Sequence, residues 1–134
     1  MELVDFLRAR LDEDEALARE APPGPWHIGN AVDPTQPCSV HTFPGVRLVA
    51  DGLNWLVAEH IAHHNPARVL AEVEAKRQII RAYTDAAFTL SVAGPNTPPH
   101  DLMTGATNSL KRTLRLLARA HRAHRDFDPA WLED

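Results

Sequence analysis

Ser39-Val40-His41-Thr42-Phe43-Pro44-Gly45-Val46-Arg47-Leu48-Val49-Ala50 decides between an all-helical chain and a mixed one. β-branched and aromatic residues alternate loosely on both sides of Pro44-Gly45, the pattern of two short strands joined by a turn. Upstream, Trp26-His27-Ile28 repeats the signal before the turn residues Gly29-Asn30 and Asp33-Pro34. Strands are therefore expected at 26–28, 39–43 and 46–50, with Phe43-Pro44-Gly45-Val46 as a hairpin turn. So small a sheet is not stable alone and must pack on helices.

Outward from this stretch the period changes to that of a helix. Leu3, Leu7 and Leu11, widened by Val4, Leu17 and Ala18, predict an amphipathic helix over 2–20 that stops at Pro22-Pro23-Gly24-Pro25. Asp12, Glu13, Asp14 and Glu15 fall on its solvated face. A second helix is expected near 53–64, capped by Asp51 or Asn54, with Leu53, Leu56, Val57 and Ile61 inward. Asn65-Pro66 then breaks and restarts the chain, because Asn caps well and Pro fits the first helical position. Val69, Leu70, Val73, Ile80 and Tyr83 or Thr84 carry the next helix to about Val92, before Gly94-Pro95. Residues 95–107 read as a loop. Thr107 or Asn108 caps a last helix, 109–124, with Leu110, Leu114, Leu117 and Ala118 inward and Phe127 and Trp131 folding back onto the core. The expected fold is α+β: about four helices on a small antiparallel sheet, in a single domain of 134 residues.

Cys38 is the one cysteine, which excludes an intrachain disulfide and any multi-cysteine zinc site; it reads as a small hydrophobe. No apolar run approaches the ~20 residues that span a bilayer. The acidic start Met1-Glu2-Leu3-Val4-Asp5 lacks a basic signal-peptide region, so a cytoplasmic protein is expected. The net charge of −4 is unevenly spread. Residues 1–20 hold seven acids and three bases, and 126–134 hold four acids. Residues 110–125 hold six bases and no acid. That balance does not favour nucleic-acid binding by the whole protein, and leaves one basic stripe in play.

Pro23-Gly24-Pro25-Trp26, the central run His60-Ile61-Ala62-His63-His64-Asn65-Pro66-Ala67-Arg68-Val69-Leu70, and Thr113-Leu114-Arg115-Leu116-Leu117-Ala118 with a terminal Trp131 form a recognisable set. Together they resemble a family of short actinobacterial proteins of unknown function, found in streptomycetes and their mobile elements. The Pro-Gly-Pro-Trp element and the central spacing are also similar to phage early proteins of unknown role. The resemblance implies no activity or cofactor. Relatives often carry cysteines before the last helix; here 94–109 has none, so a metal role resting on them does not transfer.

His60 and His64, with His63 adjacent, are the metal candidates. Imidazoles at i and i+4 share a helix face and chelate a divalent ion such as zinc. Ile61 stands where a His-Glu-x-x-His motif has its Glu, and a third ligand must come from His27, His41, His100 or Asp51. The plainer reading places three histidines at a helix C-terminus, where they bond free carbonyls. No cofactor is otherwise expected. Ser39, Ser91 and Ser109 lack a Gly-x-Ser-x-Gly setting, and the six glycines form no phosphate loop. No catalytic residue is assigned. Lys111, Arg115, Arg119 and Arg122 form a stripe, flanked by Arg112, facing an acidic partner, a phosphate backbone, the acidic first helix or solvent. Trp55 lies off the second helix's stripe and is a candidate anchor for an unidentified protein partner. A non-enzymatic interaction module is expected, with metal binding and weak nucleic-acid binding as alternatives. A deep polar cleft gathering His60, His64 and a distant acid or imidazole would instead mark an enzyme.

Overall fold

The computed structural model describes residues 1–29 and 35–133. Four helices and a three-stranded antiparallel sheet follow the order α1 (Leu3–Glu20), β1 (Trp26–Gly29), β2 (Cys38–Thr42), β3 (Leu48–Leu53), α2 (Trp55–His63), α3 (Pro66–Val92) and α4 (Pro98–Ala118). The fold is α+β. The chain divides into two compact units, Glu13–Val73 and Met1–Asp12 with Glu74–Asp134.

In the unit Glu13–Val73 the sheet order is β1-β2-β3. Trp26 pairs with Thr42 and Ile28 with Val40. The β2–β3 register slips twice between Cys38↔Leu53 and His41↔Leu48, so β3 carries extra residues opposite β2. Gly52 sits in this irregular stretch at φ +64°, which an L side chain rarely adopts. The hairpin turn falls at Phe43-Pro44-Gly45, as expected. There the Thr42 hydroxyl donates to the Gly45 carbonyl and accepts from the Arg47 N–H at 3.0 Å. The third strand runs from Leu48 to Leu53 rather than from Val46 to Ala50. The turn expected at Asp33-Pro34 lies outside the described residues.

α2 packs on this sheet. Cys38, Val40 and Ala58 form its buried centre, covered by Trp26, Ile28, Val49, Leu53, Trp55, Ile61 and Ala62. Cys38 is a core hydrophobe whose Sγ–H donates to the Leu53 carbonyl at 3.3 Å. The buried face of α2 is thus Trp55, Ala58, Ile61 and Ala62, whereas Leu56 and Val57 of the expected stripe are 73% and 48% exposed. The helix is apolar on both sides, so its period did not define which side turns inward. Small Ala58 lets α2 approach Val40, and half-buried Trp55 packs against the same cluster.

Asn54, not Asp51, caps α2 by accepting from the Leu56 N–H at 2.9 Å. At the break, Asn65 Nδ2 donates to the Ala62 carbonyl at 3.1 Å and Asn65 Oδ1 accepts from the Arg68 N–H at 3.2 Å. One side chain closes α2 and opens α3. Gly24 lies against this corner: a Cβ there would stand 2.4 Å from Asn65 Oδ1 and 2.8 Å from the Ala67 nitrogen. The Pro-Gly-Pro-Trp element and the Asn-Pro-Ala element therefore meet in space.

In the unit Met1–Asp12 with Glu74–Asp134, Leu3, Phe6, Leu7 and Leu11 are buried with Ile80, Leu114, Ala118 and Trp131. Phe6, absent from the expected stripe, is fully buried. Its ring is met by Trp131 at 4.8 Å, His124 at 5.7 Å, Phe127 at 6.0 Å and His121 at 6.3 Å. Buried Arg10 lies 5.1 Å over the same ring and reaches His124 Nδ1 at 2.7 Å. The return of Phe127 and Trp131 to the core is as expected. The expected loop at 95–107 and the cap at Thr107 or Asn108 are corrected. α4 begins at Pro98, Thr97 Oγ1 accepts from the His100 N–H at 3.4 Å, and Thr107 is buried in mid-helix. Pro98 and Pro99 occupy the first turn, whose N–H groups have no helical partner to lose.

Candidate functional site

The last turn of α2, β1 and the first turn of α3 border an open cleft of about 870 Å³ in the unit Glu13–Val73. α2 supplies Leu56, Glu59, His60 and His63 to it; β1 supplies Trp26, His27 and Ile28; Asn65 and Arg68 come from the start of α3. Trp26 is fixed by its indole N–H, which donates to the Pro22 carbonyl at 2.8 Å. Arg68 Nε donates to Glu72 at 2.9 Å, an i,i+4 pair on the polar side of α3.

The helical spacing brings His60 and His64 together as expected, with ring centroids 4.5 Å apart, and His63 stands 5.4 Å from His64. All three are exposed. His64 is held below the ordinary histidine pKa, first by partial loss of hydration, then by His60, Arg68 and His63, with Glu72 opposing. Of the proposed third ligands, His27 lines the same cleft, while His41 stands beside Ser39 Oγ at 3.4 Å and, like the exposed Asp51, does not line it. His100 belongs to the other unit, next to Asp101. Among the described residues no group of three or more His, Cys, Asp or Glu side chains is arranged to hold a metal ion. The cleft does gather His60, His64, a distant imidazole and an acid, but it is open, and its histidines and Glu59 stand at the surface. Groups so placed are open to solvent.

Trp55, the expected interface anchor, is half-buried on the core of its unit, and the side chains it leaves outermost are its neighbours Leu56 and Val57. Of Lys111, Arg115, Arg119 and Arg122, two bond the C-terminal backbone. Arg115 Nη1 donates to the Glu133 carbonyl at 3.2 Å and Arg119 Nη2 to the Leu132 carbonyl at 3.1 Å. These two hold the C-terminal turn Pro129–Leu132, while Lys111 and Arg122 remain exposed. Backbone carbonyls as acceptors leave no mark in a sequence, which is why this role was not foreseen.

Among the described residues no helix is long and apolar enough to cross a membrane. No curated protein and no solved structure matches the chain. A family profile spans almost its entire length, and on that match, over residues 1–133, the chain belongs to the family of unknown function DUF6221.

Proposed function

We propose that the protein is a non-enzymatic interaction module that binds a partner protein through the cleft and the outer face of α2. Its setting on this reading is the cytoplasm of an actinobacterium or one of its mobile elements, as the resemblance of the Pro-Gly-Pro-Trp and central-helix residues suggests. One observation carries the binding role: Leu56, 73% exposed, stands at a cleft that also offers an indole, an arginine and several imidazoles. An exposed leucine among polar, aromatic and guanidinium groups has the composition of an interface core with its rim. Position 56 carrying a photo-activated cross-linking amino acid tests it in producing cells, with position 111 on α4 as the comparison. A defined adduct from 56 and none from 111 is expected. Adducts from 111 alone would reject the assignment.

The tilted His60–His64 pair favours a second reading, binding of a divalent ion such as zinc by two imidazoles and solvent or a ligand. Metal content after zinc loading and dialysis checks it. About one equivalent, lost in the His60→Ala/His64→Ala variant, is expected; negligible metal in the unaltered protein rejects it.

A further inference from the structure

In the unit Met1–Asp12 with Glu74–Asp134, Arg8 and Asp12 stand one turn apart on α1 and face Arg77, Ile80, Arg81 and Thr84 of α3 across a pocket of about 300 Å³. Ile80 is buried, and Arg77 is fixed by an Nη2–H that donates to Asp12 Oδ1 at 2.8 Å. The other two guanidinium groups are not used in this way. Arg8 reaches Asp5 only at 3.8 Å, with both side chains more than half exposed. Arg81 makes no side-chain hydrogen bond or ion pair among the described residues. Three arginines thus line a pocket with one carboxylate, Asp12, and with Asp5 beside Arg8, in a chain whose net charge is −4. Asp12 and Asp5 offset part of this positive charge, and a bound anion would offset the rest.

We propose that this pocket is an oxyanion site for a phosphate group, with Arg8 and Arg81 as the binding residues and Arg77 as the positioned third charge. Guanidinium forks match phosphate oxygens. Arg8 and Arg81 approach from different helices, and a tetrahedral dianion carries the oxygens and the charge to meet both. The volume is at the lower end for ligand sites and suits a phosphate ion or a small phosphomonoester. The inference does not draw on the histidine cleft, and its test leaves that reading untouched.

The experiment is an NMR titration of the full chain with potassium phosphate at ionic strength held constant with potassium chloride. Saturable shifts at the Nε–H groups of Arg8 and Arg81 and at the amides of 77–84 are expected. They should weaken at least tenfold in Arg8→Gln/Arg81→Gln, and stay unchanged in Arg122→Gln on the C-terminal segment. Both substituted residues are exposed, and an unchanged melting temperature confirms that the double variant folds. A parallel titration with glycerol 3-phosphate identifies the source: tighter binding than phosphate marks a phosphorylated small molecule, equal binding the free ion. Shifts no larger than chloride produces, or an affinity equal in the double variant, would overturn the proposal.

Discussion

At the scale of single residues, His64 and Gly24 carry the sharpest consequences. The native state holds His64 below its ordinary pKa, so the unfolded chain binds the proton more readily. Stability is therefore highest where both states are neutral. It falls as pH drops below about 6.5, the ordinary histidine value, until the native ring also protonates. Denaturant unfolding of the protein and of His64→Gln across pH 5 to 8 is expected to show a shallower acid-side slope in the variant; identical slopes contradict the assignment. Gly24 faces backbone as well as a side chain, so the corner cannot give way cheaply. Gly24→Ala is expected to cost about 1–3 kcal/mol, the usual range for overpacking, measured by urea unfolding. A midpoint equal to that of the unaltered protein would contradict the close approach.

At the scale of elements, legibility followed the punctuation. α3 was readable at both ends, because Asn65-Pro66 opens it and Gly94-Pro95 follows its end. α4 was half hidden: Pro98-Pro99 resembles a breaker, yet in a first turn it is a start. Thr97→Ala is accordingly expected to cost about 1 kcal/mol through loss of the cap, seen as a lower melting temperature, whereas the same change at exposed Asn108 should cost little. The sheet was visible from its alternation and its Pro-Gly turn, and only the slip in β3 displaced its last strand. α2 was placed along the chain but not around its axis. With Leu56 and Val57 opposite Trp55 and Ala58, hydrophobicity alone does not say which side meets the sheet.

At the scale of the whole molecule, the Pro-Gly-Pro-Trp and Asn-Pro-Ala elements acquire a physical meaning. Gly24 and Trp26 frame the corner that Asn65 closes, so residues distant in sequence cooperate in building one cleft. The His60–His64 pair was legible because its partners are one helical turn apart. Trp26 and Arg68 were not legible as its neighbours, and His27 only as one of four candidates, because strand pairing and a chain break bring them there. The basic residues of α4 looked like one interaction face by composition, yet Arg115 and Arg119 are engaged by the tail. The outer face of α2 and the cleft beside it are the proposed binding surface.

The most direct test of that claim is the affinity of the cross-linked partner for the purified protein and for Leu56→Asp, measured by calorimetry. A loss of at least tenfold, about 1.4 kcal/mol, with the melting temperature unchanged, is the predicted result. Equal affinity of the two proteins would show that the partner binds elsewhere.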